Sequence, residues 1–443
     1  LLEKKEPKNF NRFAVGVHMK ALGLDIGTTT ICLTVIDAHS GATIESTTVP
    51  NDTNIAGEPF ERLQDPAKIL AKAQALVDAA AGKHSNIASL GVAGQMHGIL
   101  YVDAQGNACS PLATWQDQRG LQVPALGVPT GYGCATHYYN LQHNEVPADA
   151  VVFCTIQDYV AMKLAGASTP LVNVTNAASF GLFDIAAGEF TADWPLLPCV
   201  TAQAEKLGET PQGIPVFCAI GDNQASLIGS VREPEKSILV NVGTGSQISF
   251  ATNDITAQGM EIRPMPSGGN LAVGAALCGG RAYATLETFF RQVLVMAGID
   301  AKDELYSAMN ALAMQPLEQP LAVDTRFGGT RANPALRGAI SGLGLENFMP
   351  AHFTCGVLQG IVNELHDMYR AENAAGHSVL VASGNAVRKG EPLRRMFAET
   401  FGMPLHIPAH NEEAAYGAAL FGLTGAGVFA TLADAQQRLI KYV

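Results

Sequence analysis

The chain has 443 residues, 47% of them hydrophobic and 15% charged, which is apolar material for more than one core. A net charge of −12 argues against a nucleic-acid partner, which would want a basic face. No apolar run nears the roughly 18 residues of a membrane span. The eight cysteines form no C-x-x-C pair, and Cys32, Cys154 and Cys218 lie in apolar runs. That is the usage of reduced, buried thiols in a cytoplasmic protein, without a disulfide framework or a zinc site.

Residues 1–18 differ in kind from the rest of the chain: Leu1 to Asn11 is charged, without apolar period, and lacks the apolar core of a signal peptide. They read as an extension outside the fold. The first strand then runs from Ala21 into Leu24-Asp25-Ile26-Gly27-Thr28-Thr29, and a second covers Ile31–Ile36. Ala42 to Val49 alternates apolar and polar residues and predicts a third strand. Asp65-Pro66 opens a helix, with Asp as cap and Pro in the first turn, and Gly82 is expected to end it. Asn86 to Ala93 returns to strand. Three strands, a helix and a strand resemble the ribonuclease-H-like unit of actin-like ATPases.

The second half opens the same way. Strand 237–242 reaches Asn241-Val242-Gly243-Thr244-Gly245-Ser246, and a further strand covers 247–251. A strand, an Asp or Asn, an apolar residue and Gly-Thr thus occur once per half, an internal repeat. Glycine admits a ligand close to the backbone, and successive N–H groups with Thr or Ser hydroxyls make an anion cradle. Neither turn is a Walker A loop, because no Lys-Ser/Thr occurs at the required spacing. The fold expected is α/β, with two ribonuclease-H-like (actin-like ATPase) domains facing each other across a cleft. Pro211, Gly213 and Pro215 place the boundary near 212–220, separating 19–215 from 216–443.

Between the two turns, the apolar run Pro215–Ile220 reads as a buried strand ending at Gly221-Asp222-Asn223-Gln224. Asp222 at the mouth of a strand is placed to face a cleft; the same position also suits a helix N-cap. Gln95-Met96-His97 stands directly after a strand end, where open α/β sheets bind ligands, although a hydrogen-bonded structural histidine reads the same. Trp115 could wall a pocket beside Asp117 and Arg119, or the segment could be a salt-bridged turn with a core tryptophan. Gln157, Asp158, Asn173 and Asn176 add hydrogen-bonding groups, mostly neutral amides, of the kind a polyhydroxylated ligand needs. Farther on, 282–296 and 352–368 read as amphipathic helices, Arg326–Arg331 as a surface loop, 379–382 as a strand, and 393–401 and 412–422 as helices.

Taken in order, Asp25-Ile26-Gly27-Thr28-Thr29, Gly94-Gln95-Met96-His97-Gly98, Gly221-Asp222-Asn223-Gln224, Gly243-Thr244 and the stretch from Asn411 to Ala419 resemble the FGGY family of carbohydrate kinases. A narrower likeness, to family members that act on a seven-carbon ketose, lies in 114–119, 130–136, 157–159 and 176–181. The resemblance implies transfer of the ATP γ-phosphoryl group to a ketose terminal hydroxyl, that of sedoheptulose first and of xylulose or another ketose next. It implies Asp222 as catalytic base, and Asp25 and Asp222 as carboxylates for Mg²⁺. ATP would meet Asp25, Gly27, Thr28, Thr29, Gly243, Thr244, Gly279, Gly280, Ser383, Gly384 and Asn385. Sugar would meet Gln95, Met96, His97, Trp115, Asp117, Asn176 and Asn223. Partners are then the ketose and ATP, with no nucleic acid or membrane, and the resemblance allows a homodimer. The chain departs from the family where Ser383 and Asn385 stand for glycines, and where His137-Tyr138-Tyr139-Asn140-Leu141 replaces a Lys-aromatic-x-Trp signature. An actin-like ATPase and an inactive sugar sensor on the same fold are the other readings.

Overall fold

The computed structural model describes residues 18–300, 302–330 and 333–443. The extension expected at 1–18 therefore lies outside the described residues except for His18, as does Arg331 of the expected surface loop.

The first half forms β1 (Lys20–Ile26), β2 (Thr30–Asp37), β3 (Thr43–Pro50), α1 (Pro66–Lys83) and β4 (Ile87–Gly94). It continues through α2 (Gly133–His143), α3 (Ile156–Leu164) and α4 (Val174–Ala178) to β5 (Lys206–Glu209), β6 (Pro215–Phe217) and β7 (Ile220–Gly221). These strands make one sheet in the order β5-β6-β4-β1-β2-β3, with β7 also on β4. Strands β1, β2 and β3 are antiparallel, while β4 runs parallel to β1.

Helix α5 (Asp222–Ser230) leads to the second half, with β8 (Ser237–Val242), β9 (Ser246–Thr252), β10 (Glu261–Pro264), β11 (Asn270–Ala276) and α6 (Gly280–Met296). It ends with α7 (Pro350–Ala371), β12 (Val379–Ser383), α8 (Glu391–Phe401), β13 (Leu405–His406), α9 (Glu413–Gly425) and α10 (Leu432–Leu439). The second sheet runs β10-β11-β9-β8-β12-β13. Its antiparallel β8, β9 and β11, with parallel β12 beside β8, repeat the plan of the first sheet. The repeat holds to the residue: Asp25 lies opposite Ala93 on the parallel neighbour, and Asn241 lies opposite Ser383.

Two expectations change. Gly82 lies inside α1, which ends at His84 in extended backbone with its N–H on the Ala80 carbonyl; with no left-handed turn there, Gly82 is an ordinary helical residue. The run Pro215–Ile220 is two strands, broken at Cys218-Ala219. Both pieces pair with β4, so the first sheet runs to Gly221, and the second begins at β8.

Each sheet has its own core, Leu22, Val92, Phe153 and Phe180 among the first and Ile238, Val240, Leu365 and Phe397 among the second. A third cluster packs Ala225 and Ile228 of α5 with Tyr416, Ala419, Leu420 and Leu423 of α9, against Ala21, Ala93 and Ile220 of the first sheet, and a fourth sets Leu227 of α5 and Val231 after it on Leu239 and Val381 of the second sheet. Helix α9 is apolar on all sides because it is covered on all sides. Its neighbours approach by backbone. A Cβ on Gly23 would meet the Ala415 oxygen at 1.7 Å, one on Gly91 the Ala418 oxygen at 1.8 Å, and one on Gly417 the Ala225 oxygen at 1.8 Å.

Gly417→Ala should therefore cost at least about 3 kcal/mol, the upper end for overpacking, since backbone rather than a side chain must yield. Gly82→Ala, with nothing within 4 Å of its Cβ, should stabilise by about 0.5–1 kcal/mol. Urea unfolding midpoints of the two variants test the contrast.

Candidate active site

Two cavities meet at the Gly243-Thr244 turn. The first, about 400 Å³, is lined from the first half by Thr28, Met96, His97 and Trp115, and beyond them by Asp222, Asn223, Asn241, Gln247 and Arg263. The second, about 660 Å³, is lined by Gly280, Arg281, Gly384, Asn385, Arg388 and Glu412, with Gly243 and Thr244 as the common wall. A larger cavity, about 920 Å³, is walled by Asp254, Ser267 and Glu372 and includes none of the motif residues.

Asp222 occupies the first position of α5, and the cap position is Gly221, without a side-chain bond. The aspartate is thus free of capping, and its Oδ1 accepts from Asn223 Nδ2 at 2.9 Å. Burial raises its pKa to about 6, against the opposing pull of the Arg263 guanidinium. Asp25 lies near the end of β1. Burial first, then the charges of Asp222 and Glu412, lift it to about 7, and its buried Oδ1 has no hydrogen-bond partner. Asp25 is thereby coupled to one carboxylate in each cavity.

The other expected residues divide. Met96 and His97 do reach the cleft. His97 adopts φ 74°, a conformation uncommon outside glycine, with its N–H on Ser179 Oγ at 3.0 Å and its ring stacked on Tyr132 at 4.2 Å. It is at once hydrogen-bonded and a cleft wall. Trp115 is 39% exposed, lines the cleft and donates Nε1–H to Thr28 Oγ1 at 2.9 Å. Gln95 is buried between Gln64 and Thr28, so it holds Thr28 in place instead of facing the cleft. Asp117, expected at the sugar, is buried in an ion pair with Arg119 at 2.8 Å and accepts the Arg62 N–H. Asn176, also expected there, is fully buried, donating to Asp158 at 2.9 Å and to the Ala219 carbonyl at 3.2 Å. Both lie in the frame because their polar atoms are spent on neighbouring loops.

Of the residues expected at ATP, Gly384 (φ 90°) and Asn385 line the second cavity, while Ser383 lies beneath, accepting from Asn241 Nδ2 at 2.9 Å. Gly280 N–H bonds the Gly243 carbonyl at 2.8 Å. A Cβ on Gly279 would strike the Gly245 oxygen at 2.3 Å, so Gly279 holds the turn closed and does not face the cavity. The Gly27 carbonyl accepts from Asn51 Nδ2 at 2.8 Å, and Thr29 is exposed nearby. The turns are backbone cradles braced from behind.

Arg263 was not anticipated. It is 7% exposed, lines the first cavity, and pairs Nη2 with Glu261 Oε2 at 2.7 Å. Glu261 in turn accepts the Tyr132 hydroxyl at 2.7 Å, a bond from one half of the chain to the other. Against the upward push of burial, Arg263 and Tyr132 hold Glu261 at about 2. Gln247 and Asn241 were missed as well.

Two units of one plan, with paired Gly-Thr turns facing a carboxylate at a strand–helix junction, define a phosphotransferase of the actin-like class. Residues 20–125 match the N-terminal domain and residues 240–426 the C-terminal domain of the FGGY family of carbohydrate kinases. The chain belongs to that family and is a carbohydrate kinase, transferring a phosphoryl group to an alcohol. It is 29% identical to sedoheptulokinase of Mus musculus over 461 aligned positions, covering 90% of this chain and 96% of that protein. Its fold is similar to that of a ligand-bound xylulose kinase from Lactobacillus acidophilus, at TM-score 0.82 and 18% identity, covering 96% of this chain and 93% of the other. It is also similar to that of Plasmodium falciparum glycerol kinase with ADP, at TM-score 0.77 and 16% identity, covering 96% and 93%.

Asp25 and Asp158 at about 7 and Asp222 at about 6 all exceed the ordinary 3.8. Each binds its proton more tightly folded than unfolded, so its contribution to stability is present at low pH and lost as pH rises from about 4 to about 7. Asp25→Asn should raise the melting temperature of the ligand-free protein at pH 8, with the gain shrinking to nothing near pH 4. A gain that persists unchanged at pH 4 would contradict the sign.

Proposed function

We propose that the protein phosphorylates a ketose at its terminal hydroxyl with ATP, sedoheptulose to sedoheptulose 7-phosphate above others, with Asp222 as general base. The observation that carries the reading is the placement of Asp222 in a cavity that adjoins a second one across the Gly243-Thr244 turn. A sugar hydroxyl beside Asp222 and a γ-phosphate at the turn would then be neighbours. Phosphoryl transfer asks chiefly for positioning and charge stabilisation, and this arrangement supplies both.

The residues have distinct tasks. Thr28, Met96, His97, Trp115 and Asn223 surround the ketose, with Trp115 as an apolar wall. Asp222 orients the reacting hydroxyl and accepts its proton as the new P–O bond forms. Main-chain N–H groups at 28–29 and 244–245 donate to phosphate oxygens, the Gly27 and Gly243 N–H groups being spent on closing their turns, and Gly280, Gly384 and Asn385 admit the nucleoside. The orphaned Asp25 Oδ1, beside Asp222 and Glu412, fits a divalent cation, since Mg²⁺ favours one or two carboxylates with phosphate oxygens and water. Bound there, Mg²⁺ would supply charge neutralisation at the phosphates. Cavities walled by both halves of the chain suit closure of those halves, which would keep water from ATP.

The choice of ketose draws support from the 29% identity to a protein named sedoheptulokinase. The site also favours a neutral polyol. Arg263 is neutralised by Glu261 and occupied by Asn223, so it offers no clamp for a sugar that already carries phosphate. The free, buried thiols of Cys32, Cys134, Cys154 and Cys218 support a reducing compartment, the cytoplasm, for the enzyme. Among the described residues no helix is long and apolar enough to cross a membrane.

Asp222→Asn should lower kcat by about 10²–10⁴ while the ketose KM changes little. A panel of sedoheptulose, D-xylulose, D-ribulose, L-ribulose, fructose and glycerol should give sedoheptulose the highest kcat/KM. Any other substrate tenfold better would overturn the choice of ketose.

A further inference from the structure

The Asn223 amide is set between acceptors and donors that leave it one orientation. Its Oδ1 receives Gln247 Nε2 at 2.9 Å and Arg263 Nη1, and its Nδ2 donates to Asp222 Oδ1. An amide is nearly symmetric in shape, and so is that of Gln247; the two could reverse together. A guanidinium cannot, because all its nitrogens donate. Arg263 is therefore the member that decides which end of Asn223 faces Asp222. Reversed, Asn223 would turn a carbonyl oxygen toward a carboxylate, two acceptors with no proton between them.

We propose that Arg263 is a positioning residue for phosphoryl transfer: it fixes the polarity of the Asn223 amide, which engages one Asp222 oxygen and leaves the other for the sugar hydroxyl. The inference rests on the reading of Asp222 as base. Arg263 is itself held. Glu261 Oε2 takes its Nη2 at 2.7 Å, and Glu261 Oε1 accepts the Tyr132 hydroxyl, whose ring stacks on His97. The chain of contacts runs from the sugar-facing loop of the first half to the catalytic carboxylate: His97, Tyr132, Glu261, Arg263, Asn223, Asp222. A direct hold on sugar is a poorer account of Arg263, since Nη1 meets Asn223 Oδ1 and Met96 Sδ, Nη2 meets Glu261, and Nε is buried away from the cavity.

A double-mutant cycle on the whole chain separates these roles. With ATP and sedoheptulose, or xylulose if it is the better substrate, Arg263→Met should lower kcat by about tenfold or more with KM within about threefold, the scale of a misplaced reacting group. Asn223→Ala should fall similarly, and the double variant should be no worse than the poorer single. Losses that multiply would show Arg263 acting apart from Asn223 and overturn the proposal, as would a raised KM at unchanged kcat. Gln247→Leu serves if Arg263→Met does not fold: its amide can reverse and so does not set Asn223, and kcat should stay within about threefold of the parent. A loss as deep as that of Asn223→Ala would overturn the proposal. Asp222→Asn measured alongside separates the two failures, because a near-native rate there would sink the base assignment itself.

Discussion

The structure depends on the backbone-to-backbone approach of α9 to the first sheet and to α5. Gly23 and Gly91 let the sheet come against one side of α9, while Gly417 and Gly229 let the two helices cross, with a Cβ on Gly229 falling 2.0 Å from the Glu413 oxygen. Interiors pack like crystals, so contacts this close admit no side-chain rearrangement as an alternative. The consequence reaches the chemistry. Asp25 lies on the strand that Gly23 brings to α9, Asp222 begins the helix that Gly229 brings to it, and Glu412 immediately precedes α9. One packing constraint therefore sets Asp25 within electrostatic reach of Asp222 and Glu412, from distant parts of the sequence.

Burial disfavours the charged form of Asp25, and the charges of Asp222 and Glu412 add to it. With its pKa at about 7, the carboxyl holds its proton far more readily than an exposed aspartate. Arg263 eases only the Asp222 side, and its own charge is balanced by Glu261.

Much of this was legible in the sequence. The twin Gly-Thr turns gave the repeat and, through it, the two sheets; the strand–Gly–Asp–helix junction gave Asp222. Asn241 could have been found by aligning the repeat, since it takes the place of Asp25. Glu261 and Arg263 carried a fainter sign: opposite charges at i and i+2 share one face of a strand. The burial of Asp117 and Asn176 was not legible, because polarity in a loop does not say whether its partners are a ligand or neighbouring groups of the protein. Residue type was the same in either case, and only the Arg119 ion pair and the Asp158 contact decide it.

That distinction separates two layers of polar residues with different physical duties. Asn176 holds Ala219, and Thr175 Oγ1 accepts the Gly221 N–H at 3.1 Å, so the backbone just before Asp222 is fixed from below. Ser179 holds His97 in the same way, and its own Oγ donates to the Asn176 carbonyl at 2.7 Å. The short helix α4 thereby ties the loop bearing Met96 and His97 to the junction bearing Asp222. Buried polar networks of this kind are favourable only when their members are satisfied, which makes their geometry stiff. A stiff base under two loops is what a reaction governed by positioning requires. The cleft residues can then be few and mostly neutral, because their placement is set by buried groups behind them.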